Sequence, residues 1–505
     1  MAAIITEKFR LNSAAQFEES FSETNENYYM FIGKSSPFTT GTSGGSDTAP
    51  PTPNDDITAE NYRWDSMLGA NAIAAADVSR GVPRRTYSSG TTYDMYEHNI
   101  SSTNLANSSG VNNLFDGTYF FVNSAFRVYK VLYNLNSTGN TFALTTEPTF
   151  TSPVKQWVGG YYLQYMYTMT TTEIDKFLTT DFAAVTTDST VSSAAVTASG
   201  DTAPYNGAPI DVFFVTNQGN GYPDGTYYAK IQGDGSGGIV KLVVSSNVIT
   251  RFGESGVSTV QAGGSGYTFA TVSLAGTNIY TDASATSLIS GSTLTTWNSA
   301  TAGEISPVIS PPVGHGFDAV SELGGHFVIL NTKFEQEEGN DITVANDFRQ
   351  VGIVKNPTQY NSSTLFSSAT ARQTFATYIP SPSGDYEIDE KITQTTTGAV
   401  GRVVEWDATN NILYYLQERF SDYGVDSSGN SVAFSGANVI TGANSSVTGT
   451  PSSTASETVD SIAFTSGYAN PELHPDSGEI IYIENRRPIS RASDQTEDIK
   501  IIVEF

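Results

Sequence analysis

Along most of this chain the apolar residues recur every second position, in short runs broken by Gly, Ser, Thr, Asn and Pro, which is the pattern of β-strands joined by turns. The C-terminal stretch SGEIIYIENRRPISRASDQTEDIKIIVEF, residues 477–505, shows it in two forms. In the first, Ile480 and Tyr482 fall on one side and Ile481 and Ile483 on the other, which predicts a central strand with both faces buried. Pro488 lacks a backbone donor and is expected to stop that ladder, leaving Arg486 to Thr496 as a link. In the second, Ile499, Ile501, Val503 and Phe505 alternate with Asp498, Lys500 and Glu504, a strand with one face on a core.

Upstream, Ala3 to Phe9 reads as a first strand, and Ser13 with Gln16 as the capping box of a short helix whose Phe17 and Phe21 share a face. Tyr28 to Ile32 reads as a strand, and residues 39–58 as a Gly, Ser and Pro loop. The following segment AENYRWDSMLGANAIAAA predicts a helix ending before Gly81 and Pro83. Strands are expected over Gly117 to Val122, Phe126 to Tyr133 and Gly159 to Met169. Two internal echoes follow. Gly219-Asn220-Gly221-Tyr222 returns as Gly264-Ser265-Gly266-Tyr267, and Tyr386, Ile392, Thr393 return as Phe434, Ile440, Thr441. Between the latter, Val400 to Trp406 and Ile412 to Leu416 predict a hairpin across Asn410 and Asn411, and Gly442 to Glu457 a Ser/Thr-rich tether.

Composition narrows the class. With 505 residues the chain is expected to hold roughly three modules. Charged residues make up only 15%, and Tyr and Phe number 27 each, as suits β-structure rich in turns. A net charge of -27 repels a nucleic-acid backbone, so DNA and RNA are not expected partners. The absence of Cys excludes disulfides and thiolate metal sites. MAAIITEKFRLN lacks the basic start and apolar core of a secretory signal, and no run of about 18 apolar residues is present. A soluble product made in a cytoplasm, with no membrane partner, is expected.

Candidate chemistry is thin. Gly233 to Gly238, GDGSGG, has the look of a serine-protease nucleophile loop around Ser236, but none of the four His stands in a matching context, and a Gly-rich turn between strands accounts for it. His315 and His326, with Asp318 and Glu322 between them, do not have the spacing of a helical metal pair. The run Glu335, Glu337, Glu338, Asp341 lacks the calcium-loop spacing and reads as a solvated turn. Gly219 to Gly225 has no helix after it to cradle a phosphate. No catalytic set, cofactor or metal is expected. Arginine clusters are more telling, Arg84 with Arg85, and Arg486, Arg487 and Arg491 in one loop: forked guanidinium groups pair carboxylates, so internal pairing with the chain's own surplus acids is the first expectation and contact with another subunit the second.

SGEIIYIENRRPI followed by DQTEDIKIIVEF resembles the C-terminal signature of the gene product eight family, baseplate wedge subunits of T-even-type contractile-tailed phages. VSRGVPRRTYSSGTTYDMY, GGYYLQYMYTM and NDFRQVGIVKNP resemble family segments in the same order. The resemblance implies a mainly β fold: a multi-layer β-sandwich core with a few short helices, here enlarged by two inserted small β-modules. The core is expected over residues 1–185, 303–380 and 461–505, with insertions at 186–302 and 381–460. It further implies a homodimer that bridges neighbouring wedge proteins and moves with the baseplate when the sheath contracts. The insertions would touch a tail fibre, a neighbouring wedge or the host surface. Candidate interface or structural residues are Arg84, Arg85, Arg349, Glu479, Arg486, Arg487 and Arg491. The alternative is a trimeric tail-spike-like adhesin or glycan-cleaving enzyme, whose long repeat arrays this chain lacks.

Overall fold

The computed structural model describes residues 4–39, 44–199, 208–335, 342–343, 346–419, 422–492 and 495–505. Strand takes 39% of it and helix 13%, in several antiparallel sheets, so the mainly β, sandwich-type expectation holds. The chain divides into two compact units, the first Met1–Ala15, Ser79–Ile329 and Val503–Phe505, the second Gln16–Val78 and Leu330–Ile502.

In the first unit the strands Phe120–Val122, Arg127–Tyr133, Tyr161–Thr168 and Gln156–Val158 form one sheet in that order. Their alternating aromatics supply the core: Tyr129 meets Tyr165 edge-on at 5.9 Å, and Tyr133 meets Phe252 edge-on at 4.9 Å. Phe252 lies in the 186–302 segment and also packs on Trp157 and Phe213, so that segment shares one apolar core with the sheet before it. Its own strands Ile210–Asn217 and Gly225–Gly233 pair with Glu304–Ile309 and Ile239–Ser245 respectively.

The first echo is a structural repeat. Gly219 and Gly264 have φ of 63° and 64°, and Gly221 and Gly266 have 91° and 82°, left-handed backbone that glycine alone adopts without strain. The turn so made leaves each Tyr buried, with its hydroxyl accepting a backbone amide, Gly303 N–H for Tyr222 and Gly238 N–H for Tyr267. GDGSGG is the turn opposite: Ser236 exchanges backbone hydrogen bonds with Ser265 of the second copy.

The second unit is built on a five-stranded sheet in the order Thr370–Arg372, Met67–Ala72, Tyr28–Gly33, Asp347–Lys355, Glu479–Ser490. Three expectations are corrected here. The helix expected over 59–76 runs only from Ile57 to Ser66, capped by Asp56, whose carboxylate accepts Ala59 N–H. Met67–Ala72 is a strand between two others, because pairing on both sides outweighs the helix propensity of Met, Leu and Ala. Glu479–Ser490 is the last strand of its sheet rather than a central one, and Ile481 is 42% exposed. A run apolar on both sides does not by itself report its place in a sheet. Nor does Pro488 end that strand, which continues to Ser490.

The remaining sheet of this unit has seven strands, in which Lys391–Gln394, Ala399–Asp407 and Ile412–Leu416 carry the expected hairpin. The second echo pairs with itself: Thr393 stands opposite Thr441, and Tyr386 donates its hydroxyl proton to Ile440 O. Phe375–Tyr378 and Tyr468–Ala469 extend the same sheet. The expected tether is instead packed, with Thr448–Gly449 paired to Ile440–Gly442 and Val447, Pro451 and Ser452 buried. At the N-terminal end the strand expected over Ala3 to Phe9 is replaced by the helix Glu7–Ser20, which Thr6 caps by accepting Phe9 N–H. Ala3 lies outside the described residues. The C-terminal strand Thr496–Glu504 buries Ile499 and Ile501 as the alternation predicts.

Candidate functional site

The edge strand Glu479–Ser490 is where the sequence concentrates its distinctive residues. Its first half pairs with Asp347–Lys355 around one bulge at Ile481: Glu479 stands opposite Lys355, Ile480 opposite Val354, Tyr482 opposite Ile353, and Asn485 opposite Gln350. The register then slips again. Ile489 stands opposite Phe348, so four steps along one strand match two along the other, and Arg486, Arg487 and Pro488 loop out of the ladder. Proline suits that bulge because no hydrogen bond is asked of it.

Arg486 pairs at 3.1 Å with Glu484, both half-exposed, while Arg487 is exposed and makes no ion pair among the described residues. With Ile481, and with no further strand beside it in the sheet among the described residues, this rim offers an open strand edge, one apolar side chain and two cations. Such a surface can pair with another strand and receive carboxylates.

The other arginines are turned inward. Arg349 forks onto Asp47, Nε to Oδ1 at 3.0 Å and Nη2 to Oδ2 at 2.9 Å, and reaches Asp347 and Ser35 O. That fork holds the Asp47 carboxyl below its ordinary range. Arg491 is buried, with Nε on Glu497 at 2.8 Å and Nη1 on Thr343 O. Arg84 donates to Thr179 O, and Arg85 donates to Phe115 O with its guanidinium 4.4 Å above the Phe120 ring. Burial pushes the Arg85 guanidinium down from its usual value. Glu479 is exposed at the start of the edge strand.

The two histidines do not form one site. His315 is buried edge-on to Tyr96, 3.8 Å from Glu322, and burial drives its imidazole well below the ordinary value. His326 stands 3.3 Å from Glu7 and stacks on Phe327. Among the described residues no three His, Asp or Glu are grouped to hold a metal ion. Of the acidic run, Glu337, Glu338 and Asp341 lie outside the described residues. The buried ion pair Lys130–Glu322 at 2.7 Å escaped the sequence reading, although a Lys within the run RVYKVLY is its visible trace.

The family model described as Bacteriophage T4, Gp8 matches residues 3–146 and 438–505. The chain belongs to the phage Gp8 family. It is therefore a structural protein of the baseplate wedge, and its place is the tail baseplate of the virion. The Gp8 match takes in Arg84, Arg85 and the whole edge strand with Arg486, Arg487 and the adjacent Arg491, and leaves out Arg349. Comparison with curated proteins finds no significant match.

Proposed function

We propose that this Gp8-family chain acts mechanically and without catalysis, as a homodimer that bridges neighbouring wedge proteins and is carried along when the baseplate changes shape on sheath contraction. The observation that carries this reading is the family match at both ends of the chain, which includes the open rim at Glu479–Ser490. That rim is the proposed meeting place of the two copies, since an unpaired strand edge with an exposed Ile481 is suited to a partner strand. Arg349, forked onto Asp47, and Arg491, buried on Glu497 and Thr343 O, support a stiff second unit.

We further propose that residues 1–185, 303–380 and 461–505 are the family's own fold and that 186–302 and 381–460 were added to it. The match stops at 146 and resumes at 438, so 186–302 and residues 381–437 fall in the gap, together with 147–185 and 303–380. Faces enlarged in this way are the surfaces proposed to meet a tail fibre or a neighbouring wedge.

The test is the solution mass of the purified chain by size exclusion with light scattering. A mass near twice 54.0 kDa is expected. A detergent-resistant trimer would overturn the reading in favour of a spike or adhesin.

A further inference from the structure

Beside the edge strand lies a pocket that the assembly reading does not use. Gln350 and Asn485 face each other across the strands Asp347–Lys355 and Glu479–Ser490. With Pro51 and Pro53, and with Ile57 and Arg63 of the helix Ile57–Ser66, they line a pocket of about 710 Å³. Gln350 donates Nε2–H to Asn485 Oδ1 at 2.8 Å, and Asn485 donates Nδ2–H to Pro51 O at 2.9 Å. That chain fixes both amides against flipping, and it leaves Gln350 Oε1 buried with no donor among the described residues. Gln350 is 8% exposed, and a carbonyl oxygen buried to that degree is normally paired.

Arg63 is the second incomplete group. It is 5% exposed, and its guanidinium donates to Asn54 O but makes no ion pair among the described residues. The buried Arg349 and Arg491 each have a carboxylate, whereas this one keeps donors to offer. The charges nearby define what it takes. Asp56 lines the pocket, and Asp55 and Glu60 also act on the Arg63 charge. An anion would meet these three carboxylates against one guanidinium, and a cation would meet Arg63 itself. A neutral carboxamide, which accepts at one atom and donates at another, answers both open groups. Since Arg63 and Gln350 are each more than nine-tenths buried, that carboxamide must stand at the end of a side chain. Pro51, Pro53 and Ile57 then give its methylenes an apolar wall.

We infer that this pocket receives a glutamine side chain from a neighbouring baseplate protein, its carboxamide oxygen accepting from Arg63 and its amide nitrogen donating to Gln350 Oε1. Glutamine is favoured over asparagine because its further methylene adds apolar contact with Pro53 and Ile57.

The experiment uses the full chain and butyramide, a glutamine side chain freed of its backbone, titrated by saturation-transfer NMR. A Kd on the order of 1 to 10 mM is expected, as suits so small a fragment. Butyrate and butylammonium, which carry a charge in place of the amide, are expected to bind about threefold more weakly or less tightly still. Arg63→Met is expected to weaken butyramide binding about tenfold, the worth of a charge-assisted hydrogen bond. Ile57→Asp, at a position 79% exposed, is expected to weaken it about threefold, the worth of one apolar contact. Val439→Asp, an equal change at an exposed position outside the pocket, is expected to leave it unchanged. An absence of saturation transfer to butyramide would overturn the proposal, as would equal losses in Ile57→Asp and Val439→Asp. Butyrate binding more tightly than butyramide would also overturn it, by making the pocket an anion site. The melting curve of each variant accompanies the titration; should Arg63→Met fail to fold, the comparison of Ile57→Asp with Val439→Asp decides.

Discussion

Arg349 holds Asp47 through two parallel hydrogen bonds of 3.0 and 2.9 Å, although 302 residues separate them in the chain. The pair ties the loop after Tyr28–Gly33 to the strand Asp347–Lys355, and Arg349 is almost wholly buried. Arg349→Ala would strand the Asp47 and Asp347 carboxylates beside an unsatisfied Ser35 carbonyl, with an expected loss of about 3 kcal/mol in urea unfolding. Arg349→Lys restores the charge without the fork and should recover only part of it. The pH dependence has a definite sign. The folded Asp47 carboxyl lies below its ordinary value, so its contribution is present at neutral pH and is lost as the pH falls through that lowered value. In Arg349→Ala this acid limb should flatten.

The repeated glycine turn gives a graded test within one motif. A Cβ on Gly264 would stand 2.4 Å from both Ser236 O and Gly238 N, and one on Gly219 would stand 2.6 Å from Thr301 O, in each case at left-handed φ. A Cβ on Gly221 meets nothing nearer than 3.6 Å. Gly221→Ala is therefore expected to cost only the backbone strain, about 1 kcal/mol, and Gly264→Ala about 3 kcal/mol or more, because backbone atoms must also move. Equal melting temperatures for the two variants would contradict this account of the turn.

How far the sequence reveals this fold depends on which contacts decide each element. The hairpin at Asn410 and Asn411, the strand Arg127–Tyr133 and the glycine echo are set by local pattern and are legible in it. Met67–Ala72 is not: its residues favour helix, and it becomes a strand only because Tyr28–Gly33 and Thr370–Arg372 lie on either side. The same limit applies to the rim. Alternation reveals that Glu479–Asn485 is extended, but whether it ends a sheet is decided by partners elsewhere in the chain. For the arginines, clustering in sequence proved a weaker guide than the acceptors that folding brings near. Arg491 sits four residues from Arg487, yet one is buried on Glu497 and the other faces solvent.

The buried His315 predicts an acid limb of its own. Burial disfavours its charged form, Lys130 and Lys155 add to the effect, and Asp211 opposes it, with Glu322 3.8 Å away. Its folded value lies well below the ordinary 6.5, so the stability tied to the neutral ring is complete above about pH 6.5 and falls as the pH drops below it. By about pH 5 this group should have cost the folded chain measurable stability. His315→Gln removes the titration while keeping polar atoms in place. Melting temperature followed from pH 8 to about pH 5 is expected to fall more steeply in the unmodified chain than in the variant. Parallel curves would assign the acid sensitivity to other groups.

The rim at Glu479–Ser490 separates association from stability. Ile481 and Arg487 face solvent, so Ile481→Lys with Arg487→Glu should leave the melting temperature nearly unchanged, as surface substitutions usually do. If two copies meet along this edge, the same double variant places a charge where the partner strand must lie and reverses another. The mass by light scattering should then fall from near twice 54.0 kDa to the single value. Arg491→Ala is the opposite case: it leaves Glu497 and the Thr343 carbonyl buried without their donor, and should lower the melting temperature before it touches association. A double variant that melts normally and still runs at the doubled mass would place the dimer contact elsewhere on the chain, whereas one that runs as a monomer would make this open edge the first surface to probe with other wedge subunits.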